Sequence, residues 1–238
     1  MTARLDEDGR REELARNLHA VRQRVEKACA AAGRDPADVT TVVVTKTFPS
    51  ADARLLWELG VRDVAENRDQ EAKAKVVDLR DLRDLRWHFV GQLQTNKAGS
   101  VARYADVVHS VDRLRLVTAL DRGAEAAGRR LGCLVQISLD GDTRRGGVAA
   151  EGAPEVAAAV AAADHLTLLG VMAVAPLGED PAAAFRRLAG ISNHLRADHP
   201  DAAWISAGMS GDLEQAVAAG ATHLRVGAAV LGSRPPLR

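Results

Sequence analysis

The chain has 238 residues, 47% of them hydrophobic, and its 32 basic and 32 acidic side chains cancel at neutral pH. That length can bury a large core, while zero net charge offers no basic face for nucleic acid. No apolar run is long enough to cross a bilayer, and the charged N-terminus lacks the apolar core of a signal peptide. Cys29 and Cys133 are too few and too far apart to suggest a disulfide framework or a zinc site. A cytoplasmic protein without membrane or nucleic-acid partners is expected.

From about Asp8 to Gly33, Leu14, Leu18, Val21, Val25 and Cys29 recur at helical spacing and the pattern ends at a glycine, which predicts an N-terminal helix. Short apolar runs then alternate with helical stretches. Strands are predicted at Thr41–Lys46, Asp63–Ala65, Trp87–Val90, Val107–Ser110, Cys133–Leu139, Leu166–Val174, Trp204–Ala207 and Leu224–Val226. Helices are predicted at Ser50–Leu59, Arg113–Gly128, Pro154–Ala163, Pro181–Asp198 and Gly211–Ala219. Such alternation without a long linker means parallel βαβ units in one sheet, and eight strands in this length fit a closed (β/α)8 barrel. One domain over residues 1–238 is expected. The chain stops shortly after the eighth strand, at Arg234–Arg238, so the N-terminal helix is expected to cover the place of a full eighth helix.

Lysine is scarce, occurring only at Lys27, Lys46, Lys73, Lys75 and Lys97. Lys46 ends the β-branched run Val42-Val43-Val44-Thr45. A desolvated lysine loses its proton readily and becomes a nucleophilic amine, which a guanidinium cannot do. Schiff-base formation with an aldehyde or ketone is the chemistry that uses such an amine. A strand-end lysine snorkelling into solvent is equally compatible with the pattern.

In a barrel the strand C-termini share one face, where sites are built. After the seventh strand, Ser206-Ala207-Gly208-Met209-Ser210-Gly211-Asp212 is a phosphate-binding candidate. Its glycines let amides approach an anion, and Ser210 precedes a helix N-terminus. Ser210 could instead serve only as an N-cap, with Asp212 in the first turn. Gly227 offers a second close backbone approach. Arg225 points either into the barrel mouth, where a ring nitrogen would suit it, or into an ion pair with a carboxylate such as Glu66. His88, between Trp87 and Phe89, reads as a satisfied structural group. The stretches Glu71–Arg86 and Asp140–Arg145 read as solvated helix face and loop, and Trp57 as core.

Together these motifs resemble the YggS/PROSC family, the pyridoxal-phosphate homeostasis proteins, over essentially the whole chain. The carriers are Val44–Thr47, Glu66–Glu71, Trp87–Lys97, His109–Arg113, Gly170–Met172, Ser206–Ser210 and Leu224–Gly227, in that order. The family is similar to the N-terminal barrel domain of alanine racemase. The resemblance implies an α/β fold, a single (β/α)8 barrel of that type with an extra N-terminal helix. It implies that Lys46 holds pyridoxal 5'-phosphate as a Schiff base. Ser210, with backbone groups near Ser206, Gly208 and Gly227, would take the phosphate, and Arg225 would face the pyridine nitrogen. Asn67 would lie close to the cofactor, with His88, Asn96 and Met172 at its rim. Ala228 departs from the usual threonine or serine and removes a hydroxyl from the phosphate cup; Ala65 stands where a glycine is more usual.

The implied role is intracellular cofactor and amino-acid homeostasis rather than catalysis, with PLP-dependent apo-enzymes as recipients and a monomer as the acting form. A weak amino-acid racemase is the alternative. Racemisation needs a base on each face of the substrate, and the only tyrosine, Tyr104, lies between the third and fourth strands. Arginine rather than a carboxylate at the ring nitrogen weakens the electron sink. A Schiff-base aldolase using Lys46 directly ranks third. Lys97 is either a second cofactor contact or a surface charge.

Overall fold

In the computed structural model, which describes residues 2–232, eight parallel strands close into one barrel in chain order. They are β1 (Thr40–Val44), β2 (Asp63–Glu66), β3 (Arg86–Phe89), β4 (Val107–Val111), β5 (Leu131–Gln136), β6 (Leu166–Met172), β7 (Trp204–Ser206) and β8 (His223–Val226). β8 pairs back onto β1 from Thr40 opposite His223 to Val43 opposite Val226. All eight predicted strands are present, each with at least one end displaced by one to three residues. Lys46 is one displaced position: β1 ends at Val44, and the lysine sits in the turn beyond it.

The helices are α1 (Thr2–Ala32), α2 (Ser50–Glu58), α3 (Asp69–Asp78), α4 (Ala98–Val101), α5 (Leu114–Ala126), α6 (Ala153–Ala162), α7 (Pro181–Asp198), α8 (Leu213–Ala218) and α9 (Ala228–Leu231). α7 starts sharply because Pro181 occupies its first turn and the Asp180 carboxylate accepts from the amides of Ala182 and Ala183. The main core fills the space between barrel and helices. A smaller apolar cluster, Val107, Leu134 and Met172 with Leu169 and Trp204, forms separately.

α9 after β8 is only one turn long. α1 covers this thin part of the shell, as its apolar stripe requires: Leu14, Leu18, Val21, Val25 and Cys29 are all buried. Polar contacts fix its position. Arg24 pairs with Glu214 of α8 at 2.7 Å, Asn17 Nδ2 donates to Val230 O at 2.9 Å, and Arg10 pairs with Asp52 of α2 at 2.7 Å. The tail at Arg234–Arg238 lies outside the described residues.

The β4 ladder with β5 slips between Val108 and Val111, so His109 and Ser110 occupy a bulge. Bulges re-aim side chains, and His109 is fully buried. Trp57, expected in the core, is only half-buried: its ring packs against the core while Nε1 donates to Asp84 Oδ1 at 2.7 Å. Both cysteines are buried and free.

Candidate functional site

Beyond β1 the chain enters a turn that is held from several sides. Thr45 is fully buried, and its hydroxyl donates to Glu66 Oε1 at 2.6 Å. Lys75 reaches over from α3 and donates to the same carboxylate oxygen at 2.5 Å and to Thr45 O at 2.7 Å. Burial raises the Glu66 carboxyl, and the Lys75 ammonium opposes that rise. Lys75 thus corrects the reading of its helix as a solvated face: its side chain is 8% exposed, and it anchors the residue before Lys46. On the other side, Thr47 has φ of 70°, the left-handed region that a β-branched residue rarely enters. Its amide donates to Glu71 Oε2 at 3.2 Å. Lys46 therefore sits between a clamp and a strained turn.

The half-buried Lys46 opens onto a cavity of about 300 Å³ lined by Val44, Phe48, Met209, Ser210, Gly211, Arg225, Gly227, Ala228 and Gly232. The fold thus brings Lys46, Ser210, Arg225 and Gly227 together from the turn after β1, the loop after β7 and the end of β8. Gly208 shapes the β7 loop from behind: its φ is 86°, and a Cβ there would lie 2.5 Å from the Ala216 Cβ. Gly227 lets the β8 loop pass close to β1, where a Cβ would meet Val44 O at 3.3 Å.

Ser210 lines the cavity, and it caps a different helix from the one expected. Its hydroxyl caps α9, not α8, by accepting from the Ala229 amide at 3.2 Å, which ties the β7 loop to the β8 loop. Asp212 directly precedes α8 and accepts from the Met209 amide at 2.6 Å. Arg24 holds Ser210 O at 3.0 Å. Among the described residues the amides of Gly211 and Ala228 have no acceptor.

Arg225 is buried, and it forms no pair with Glu66, whose carboxylate is taken by Lys75 and Thr45. Its Nη1 donates to Ser206 Oγ at 2.6 Å, its Nη2 to Ala173 O at 2.8 Å, and its amide to Gly208 O at 2.9 Å. Burial brings its pKa down to about 10, with Asp212 acting in the opposite direction, so it stays cationic at neutral pH. Ser206 and Gly208 thus join the site through Arg225 rather than by lining the cavity.

The remaining expected contacts lie elsewhere. His88 is buried with both ring nitrogens engaged, Nε2 with Asp63 Oδ1 at 2.9 Å and Nδ1 with His109 Nε2 at 2.8 Å. Met172 is packed in the small apolar cluster. Asn67 lines a neighbouring polar groove of about 580 Å³ that also includes Arg68, Gln92, Gln94, Lys97 and Arg113. Asn96 is exposed beside it. A third cleft, of about 420 Å³, lies between α1 and the opposite ends of β1 and β2. Both clefts are larger than the Lys46 cavity, but neither combines a half-buried lysine with free backbone amides. Tyr104 is buried away from all three, and burial raises its hydroxyl above the ordinary tyrosine value.

An eight-stranded parallel barrel with a lysine after its first strand and glycine loops after its last two defines the class. Residues 11–235 match the alanine racemase N-terminal domain. The pyridoxal phosphate homeostasis protein of Mycobacterium tuberculosis is 46% identical over 94% of both chains, and that of Escherichia coli 35% identical over 93% of this chain and 97% of its own. The structure of PipY from Synechococcus elongatus with PLP bound superposes with a TM-score of 0.81 at 33% identity, covering 92% of this chain and all of that one. Alanine racemase of Clostridium difficile, at 16% identity and a TM-score of 0.72 over 57% of its length, shares the fold alone. The chain belongs to the pyridoxal phosphate homeostasis protein family, within the alanine racemase N-terminal domain fold.

Proposed function

We propose that this protein binds pyridoxal 5'-phosphate in the Lys46 cavity and serves intracellular homeostasis of that cofactor without turning over amino acids. The observation that carries the reading is the convergence of Lys46, Arg225 and the Ser210–Gly227 loops on one cavity. The groups present fit the cofactor. The amides of Gly211 and Ala228 and the Ser210 hydroxyl suit a phosphate, and Arg225 suits an unprotonated ring nitrogen. When bound, the cofactor supplies an aldehyde, a phosphate and a pyridine ring. Lys46 would hold the cofactor through its amine, as a Schiff base with the aldehyde.

Two features support a holder rather than a catalyst. Lys46 and Arg225 are the only titratable groups lining the cavity among the described residues, so no second base faces the one that Lys46 supplies. Arg225 keeps its charge and so opposes protonation of the ring, which leaves the ring a weak electron sink. The names of the relatives and the PLP bound to PipY agree with this role.

The test is to mix the purified protein with pyridoxal 5'-phosphate, follow the yellow Schiff-base absorption, and incubate the loaded protein with amino acids in deuterated water. A band absent in Lys46→Ala, together with no α-proton exchange, is expected. No band in the wild type overturns binding, and steady exchange overturns the non-catalytic role.

A further inference from the structure

The interior of the barrel carries a polar chain that the proposed function does not use: Asp63 on β2, His88 on β3, His109 on β4 and Ser206 on β7, ending at Arg225 on β8. His109 Nδ1 lies 2.9 Å from Ser206 Oγ. β4 and β7 are not neighbours in the barrel, so this link crosses its interior.

The two ends fix the direction of every proton. Arg225 can only donate. Asp63 can only accept, because it is ionised: burial pushes its carboxyl up, but the hydrogen bonds from His88 and Arg86 outweigh this and leave it below the usual aspartate value. Ser206 Oγ accepts from Arg225, and its own proton goes to His109 Nδ1, which the links on to Asp63 leave unprotonated. His109 then carries its proton on Nε2 and gives it to His88 Nδ1. His88 in turn carries its proton on Nε2 and gives it to Asp63. Any other pair of neutral tautomers leaves two acceptors or two donors facing each other at 2.8 or 2.9 Å. A charged His109 is opposed first by burial, and the Arg225 guanidinium nearby opposes it further.

We infer that Asp63, His88, His109 and Ser206 form a one-way positioning relay that holds Arg225 charged and aimed at the Lys46 cavity. All the O–H and N–H bonds of the relay point toward Asp63, which leaves the Ser206 oxygen a stronger acceptor for the guanidinium. None of these four side chains lines the cavity, so their effect passes through Arg225. The inference rests on the cofactor reading of that cavity and deepens it: the relay would keep a bound pyridine nitrogen unprotonated. The charged and titratable groups around the two imidazoles are Asp63, Arg86, His223 and Arg225.

Nitrogen-15 NMR of the histidine rings in the cofactor-free wild type reads the relay directly. Both His88 and His109 should be neutral and protonated on Nε2 at neutral pH; a proton on Nδ1 of either, or a charged ring, overturns the inference. In the loaded protein, His109→Leu should release cofactor roughly tenfold faster, the effect of weakening one hydrogen bond to a charged group. It should also shift the pH at which the yellow band fades. His109→Gln, which keeps one donor and one acceptor, should recover part of both effects. If the wild type forms no adduct at Lys46, the cofactor reading falls and the inference with it. If the adduct forms and His109→Leu changes neither release nor the pH profile, the inference alone falls.

Discussion

Replacing Lys75 with methionine removes the ammonium that neutralises Glu66 and holds Thr45 O. The two side chains are 8% and 1% exposed. Removing one partner of a buried ion pair costs about 3–5 kcal/mol, because the other charge is left without compensation. For a domain of this size each kcal/mol lowers Tm by roughly 2–4 °C, so a fall on the order of 10 °C follows. The deficit should depend on pH. Burial already raises Glu66, and losing Lys75 raises it further. An acid whose folded pKa lies above its unfolded value contributes stability that is present below the unfolded value and is lost as pH rises through the folded one. Lys75→Met should therefore be nearly tolerated below pH 4.5, the ordinary glutamate value, and become increasingly unstable toward neutrality. Urea unfolding across that range, with Glu66→Gln/Lys75→Met alongside, reads the effect, and the double variant should recover most of the loss at neutral pH. A deficit under about 1 kcal/mol, the size of a surface pair, or one that does not vary with pH would refute the reasoning.

Three further outcomes follow from the same geometry. Gly208→Ala should cost about 2–4 kcal/mol in chemical unfolding, since both its positive φ and the Ala216 contact oppose a side chain. Ala228→Ser adds a hydroxyl to the cavity wall and should slow release of pyridoxal 5'-phosphate by about tenfold, the value of one hydrogen bond to a charged group; an unchanged rate would place the phosphate elsewhere. Asp63→Asn should be less stable than the wild type at neutral pH. Because the Asp63 carboxyl is depressed in the folded state, that difference should vanish as pH falls below 3.8, which acid titration of the two proteins checks.

The barrel was legible because its strands are short, apolar and regularly separated by helical patterns. Reading residues at strand ends also found Lys46, Ser210, Arg225 and Gly227, since in a parallel barrel those ends must share a face. Contacts across the barrel were not legible. His109 and Ser206 are 97 residues apart, and no periodicity pairs β4 with β7. The bulge that re-aims His109 leaves no mark in the pattern of apolar residues. Lys75 was misread because a helix face dense in charge usually points to solvent, and only the burial of Glu66 beside it turns that one lysine inward. The motifs around Asn67, His88 and Met172 drew attention to real structural positions, but chain order alone could not show that they lie outside the Lys46 cavity.

The most direct test of the central claim is borohydride reduction of the protein loaded with pyridoxal 5'-phosphate, followed by peptide mass mapping. A pyridoxyl group on the peptide containing Lys46, and none on that peptide in Lys46→Ala, is the expected result. An adduct carried on Lys97 or Lys75, with Lys46 unmodified, would contradict the account.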